Sequence, residues 1–207
     1  METEISSFWN YFSLKQKNFL FARSIDDKRT QYDIYCVLDK LVRKLHPKLY
    51  ILISFNKNDT PSANLVFLTK GRSTLKKIAA RLLDKAPSFS QWHFQSGITP
   101  YKHSIIALCA YNQFLGTENN IYQIYFAVKK IYKTSNKLHL LLYLEMDKQL
   151  PKSDLHDLMH IILLYFLGDA YYFKHISRYK IVRRKYSKIQ FIPLDQLRHL
   201  IQFKALN

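Results

Sequence analysis

Two hydrophobic periods share this chain, and their order along it constrains the fold more than any other feature. In some segments apolar residues recur at i, i+3 and i+4, on one face of a helix; in others they form short extended runs that read as strands. From Ser6 or Ser7 as N-cap, the spacing of Trp9, Phe12, Phe19 and Leu20 predicts a first helix to about Arg23. A second, from about Lys28 to His46, carries Ile34, Val37, Leu38, Leu41 and Leu45 on its stripe and stops at Pro47. Leu49–Phe55 and Asn64–Thr69 read as two strands around a polar turn. After Gly71, Ser73 or Thr74 caps a third helix with Leu75, Ile78, Ala79, Leu82 and Leu83 on one side.

The middle of the chain predicts strands at Gln91–Ser96, Ser104–Ala110, Ile121–Tyr132 and Lys137–Glu145, the last two paired through Lys133–Asn136. A fourth helix starts at Ser153, packs Leu155, Leu158, Met159, Ile162, Leu163 and Phe166, and ends at Gly168. A strand over Phe173–Arg184 and a short helix over Pro193–Phe203 complete the reading. Because the elements do not alternate regularly, the expected class is α+β, a largely antiparallel sheet with helices packed on it. With only 4 Gly and 6 Pro in 207 residues, no linker or low-complexity tract divides the chain, so one domain over 1–207 is expected.

Composition excludes several classes. At 48% hydrophobic and 15% aromatic residues, the chain has ample material for a core and is not of the disordered type. No apolar run approaches the roughly 20 residues of a membrane span, and the acidic start does not read as a signal peptide. Cys36 and Cys109, both in apolar surroundings, read as buried free thiols rather than a disulfide framework. A cytoplasmic location without membrane association is the resulting expectation.

Charge is the strongest functional signal. Thirty-two Lys and Arg against 15 Asp and Glu give +17, a field that attracts nucleic acid or acidic proteins. Residues 171–190 hold seven cations and no acid. If extended, this segment places Lys174, Arg178, Lys180, Arg184 and Lys188 on one face, with Tyr186 as a stacking surface beside them and Tyr179 and Ile181 turned inward. These residues form the candidate polyanion site. The competing reading is a solvated edge strand kept from aggregating by its Lys and Arg. Further cations at 40–48, 76–85 and 129–133 disperse the charge along the chain.

Other motifs are weaker. His156 and His160 stand i, i+4 on the fourth helix, the spacing of a zinc-binding pair, but the acid between them is Asp157 and no third ligand follows at a recognisable distance. They are weak metal candidates, and no metal is assigned. Gly71-Arg72-Ser73-Thr74 reads as a turn with a cap rather than a phosphate loop. Aromatics at Phe8, Trp9, Tyr11, Phe12 and Trp92 fit a core better than a stacking platform. No Gly-x-Ser-x-Gly, paired acid and base, or cofactor fingerprint is present.

In Phe8-Trp9-Asn10-Tyr11-Phe12, Leu65 to Gly71, Ala86-Pro87 before Trp92, and Leu167-Gly168-Asp169, the sequence resembles an uncharacterised family of bacterial cytoplasmic proteins of about this length. Asp169 stands where that family has Glu, and this chain is the more basic. The resemblance implies a compact α+β fold and no activity. The leading functional expectation is therefore a non-enzymatic interaction module whose partner is a protein or a second copy of itself. Nucleic-acid or other polyanion binding is the alternative, and an enzyme site assembled from distant residues the weakest.

Overall fold

The computed structural model of the protein describes residues 1–20, 28–56, 62–104, 121–146 and 150–204. The expected strand over Ser104–Ala110, with Cys109 in it, lies outside the described residues beyond position 104. Among those described, the class is α+β with two mixed sheets. Contacts group the chain into two compact units, Met1–Ile98 and Thr99–Asn207, each with its own sheet.

The first unit holds α1 (Glu2–Leu20), α2 (Lys28–Leu45), β1 (Tyr50–Asn56), β2 (Ser62–Leu68), α3 (Ser73–Asp84) and β3 (Trp92–Ser96). Helix α1 begins at Glu2, not at Ser6 or Ser7. Glu2 and Glu4 sit in its first turn, where carboxylates complement the helix dipole, and the Ser7 hydroxyl donates back to the Thr3 carbonyl inside the helix at 2.8 Å. Strand β2 pairs antiparallel with β1 and parallel with β3, so α3 is a crossover between parallel neighbours. One face of the sheet, through Ile51, Ile53, Ala63, Leu65 and Phe67, packs on the buried side of the helices. Phe8, Trp9, Phe12 and Trp92 are all buried there, so these rings form a core and offer no surface for stacking a ligand. Both indoles find acceptors: Trp9 Nε1 donates to the Leu82 carbonyl at 2.9 Å and Trp92 Nε1 to Gln16 Oε1 at 3.3 Å.

The second unit holds β4 (Ile121–Tyr132), β5 (Lys137–Met146), α4 (Lys152–Leu167), α5 (Asp169–His175), β6 (Ile176–Val182), β7 (Ile192–Pro193), a 3-10 turn at Leu194–Gln196 and α6 (Leu197–Lys204). Strand order is β6-β5-β4-β7; β4 runs antiparallel to both β5 and β7, and β5 pairs parallel with β6. The β4–β5 hairpin forms as expected, with Asn136 in the left-handed region (φ 50°) closing its turn.

The expected strand over Phe173–Arg184 is shorter. Gly168, at φ 76°, ends α4, and the chain re-enters a helix with Asp169 in the first turn, so extended structure begins only at Ile176 and stops at Val182. Burial of Tyr172 in α5 outweighs the strand preference of the Tyr171-Tyr172-Phe173 run. None of the described helices is long and apolar enough to cross a membrane.

Candidate functional site

The two faces of the second sheet differ in chemistry because side chains alternate along each strand. On one face, Ile124 and Phe126 of β4 and Leu138, Leu140, Leu142 and Leu144 of β5 are buried. Tyr179 of β6 belongs to this face: its hydroxyl donates to the His156 carbonyl at 2.9 Å and its ring stacks on the His156 imidazole at 5.0 Å, tying α4 over these strands. Burial pushes the Tyr179 phenol pKa upward, so it remains a donor at any physiological pH.

The opposite face is built from cations and aromatic rings. Strand pairing sets Lys130 opposite His139 and His139 opposite Arg178, then Ala127 opposite Leu141 and Leu141 opposite Lys180, then Tyr125 opposite Tyr143 and Tyr143 opposite Val182. Register shifts flank His139 on both sides, at Val128/Lys130 in β4 and at Leu138/His139 against β6. Such irregularities re-aim side chains, and here they crowd positive charge around one imidazole. The Arg178 Nε–H donates to His139 Nδ1 at 3.2 Å, which requires the neutral ring with its proton on Nε2. His139 is 6% exposed, and its pKa is lowered first by burial and then by Arg178, Lys129 and Lys130.

The cations also lie over rings. Lys185 Nζ sits 3.3 Å from the centroid of Tyr125 and 5.2 Å from that of Tyr143. Arg178 and Lys130 approach the Tyr132 ring at 5.8 and 5.1 Å. Tyr125 and Tyr143 are 6.0 Å apart, with Phe191 beyond them at 6.5 Å, and this group covers the small buried cluster of Ala127, Leu141 and Val182. Glu145 is an acid on this face, accepting from the Tyr125 hydroxyl at 3.3 Å.

Of the residues singled out in the sequence, Arg178 and Lys180 lie together on this face of β6 and are exposed, while Tyr179 and Ile181 turn the other way as expected. Lys174 sits in α5, and Arg184, Tyr186 and Lys188 lie in the exposed stretch that follows the strand, so one extended row from 174 to 188 does not form. Sequence reasoning missed Lys130, His139, Lys185 and the tyrosines at 125, 132 and 143. The hairpin through Lys133–Asn136 was the available signal, because it sets Lys130 against His139.

His156 and His160 each face a tyrosine, Tyr179 in one case and Tyr172, 3.1 Å from His160 Nδ1, in the other. Burial pushes the Tyr172 phenol up to about 12. Among the described residues no three His, Cys, Asp or Glu side chains gather as a ligand set. Gly71 does take a left-handed turn (φ 72°) before α3, as does Lys70 (φ 52°), and the helix starts without a side-chain cap.

His139 and His175 make stability pH-dependent. Both are buried and both have pKa values lowered, His175 first by burial and then by Lys174 and Lys137. An unfolded chain binds these protons near the ordinary value of about 6.5, so between that value and the lower folded pKa it holds more protons than the native state. The stability they contribute is complete above about pH 6.5 and is lost as pH falls toward their folded values. Thermal melts at about pH 7.5, 6.5 and 5.5 should show a falling midpoint, flattened in the His139→Gln/His175→Gln variant. A midpoint that rises on acidification would contradict this assignment.

Compared with protein-family models, with curated proteins and with solved structures, the chain finds no match.

Proposed function

We propose that this protein binds single-stranded nucleic acid on the face of its second sheet that carries the cations and tyrosines. One observation carries the reading: Lys130, Arg178 and Lys185 lie over Tyr132, Tyr125 and Tyr143 on a single face. Cations neutralise phosphates, and tyrosine rings offer planes on which unstacked bases rest. The same side chains supply both functions, since an ammonium over a ring can move onto a phosphate and leave the ring to a base. A sheet face with half-buried rings suits splayed single strands, whereas duplex grooves are read by inserted elements. This ranks polyanion binding ahead of a protein-interaction module, because an acidic protein partner would use the charges but has no need of the rings.

Base stacking contributes about 1–3 kcal/mol per base, so Tyr132→Ala should weaken binding of a labelled single-stranded RNA about 5- to 150-fold. Duplex DNA of equal charge, held only by diffuse attraction, should respond little to the same change. Fluorescence anisotropy of both probes decides the matter; equal loss for the two would remove stacking from the account.

A further inference from the structure

The parallel pair of the second sheet ends unevenly. Pairing between β5 and β6 runs from Leu138↔Ile176 to Tyr143↔Val182, while β5 continues to Met146. Leu144 to Met146 therefore extend past the end of their neighbour, and α4 begins beyond them at Lys152. The space left between the two strand ends and the first turns of α4 is a cleft of about 790 Å³, within the range of small-molecule sites. It opens around the edge of β6 that has no paired strand among the described residues, so residues of both parities line it.

Its chemistry is two-sided. Leu144, Met146, Leu150, Leu155 and Ile181 supply apolar wall. Lys152, Lys180 and Arg183 supply positive charge, Ser153 a hydroxyl, and no Asp or Glu lines it among the described residues. Tyr179 and His156, locked to each other, close one side. Apolar wall open to water favours an apolar occupant, and three cations with no acid among the described lining residues favour a negative one. We infer that this cleft binds a small amphipathic anion, an apolar chain or ring system bearing one carboxylate, sulfonate or phosphate. The cleft shares Tyr143 and Lys180 with the border of the aromatic face proposed for nucleic acid, and its ligand class goes beyond that reading.

The probe is 1-anilinonaphthalene-8-sulfonate, followed by its fluorescence on the full chain without any oligonucleotide, with decanoate and decanol as competitors. The expected result is saturable binding of one molecule per chain, displaced at least about tenfold more effectively by decanoate than by decanol, because charged hydrogen-bonding groups discriminate by that much. Arg183→Glu should weaken decanoate about tenfold or more on the same grounds. Leu155→Trp should block the probe by filling the cleft; should that variant fail to fold, Ser153→Trp, at an exposed rim position, makes the same test. Unsaturable binding, equal displacement by decanol, or undiminished binding in the Trp variant would each overturn the assignment. Anisotropy of single-stranded RNA should be unchanged in Ser153→Trp, so failure here and failure of the nucleic-acid reading are separately visible.

Discussion

Reversing Lys130, Arg178 and Lys180 to Glu should reduce affinity for single-stranded RNA by on the order of a hundredfold or more at low salt, because each neutralised phosphate contributes through counterion release and each new carboxylate repels. The three residues come from two strands that are not neighbours, with β5 between them, yet Lys130 and Arg178 both reach His139 and Tyr132. The matched control is Lys76→Glu/Lys77→Glu/Arg81→Glu, the same change in net charge on exposed positions of α3. It is a cleaner control than reversals on α2, where Arg43 is already paired with Asp39 at 2.5 Å and lies over Tyr50. Equal losses in the two triple variants would reduce the effect to the overall +17 charge. Arg184→Glu/Lys188→Glu, beyond the end of β6, should cost less than the sheet-face variant, which separates a face built by strand pairing from a linear run of cations.

The largest effect on stability should come from Phe12→Ala. Phe12 is fully buried, and its ring meets those of Phe8, Trp9, Phe19, Phe89, Trp92 and Phe94 at centroid distances of 4.8 to 6.5 Å. Replacing it removes the transfer free energy of the ring and leaves a cavity that six rigid neighbours cannot close, a cost of about 3–5 kcal/mol. Leu14, two residues on and 81% exposed, should change stability by less than about 0.5 kcal/mol when replaced by Ala. Urea denaturation of both variants measures the difference. Similar midpoints for the two would mean that α1 does not pack as described.

These two predictions mark what was legible in the sequence and what was not. The stripe of α1 and the spacing of α2 and α3 follow one helix at a time, so a 3.6-residue period reveals them and already assigns Phe8, Trp9 and Phe12 to a core. The β4–β5 hairpin is equally local. The strand expected over Phe173–Arg184 begins late because Phe173 favours strands in isolation, whereas burial of Tyr172 and the restart at Asp169 keep the chain helical to His175. The basic face was half visible. Period two within β6 places Arg178 and Lys180 together, but Lys130, His139 and Lys185 join them only through cross-strand pairing and the stretch after β6. The register shifts beside His139 have no signature in the alternation of any one strand. The expectation of one domain rests on the lack of a linker, and the boundary between the two compact units, at Ile98 and Thr99, falls between Gly97 and Pro100.

The most direct test of nucleic-acid binding is the salt dependence of single-stranded RNA affinity in the wild-type protein and the Lys130/Arg178/Lys180 reversal. Each phosphate contact on a single strand contributes about 0.7 to the slope of log affinity against log salt. The sheet-face variant should lose about two units of slope, for three contacts, and the α3 control far less. Equal slopes in wild type and sheet-face variant would contradict it and leave the aromatic and basic face without a role in binding nucleic acid.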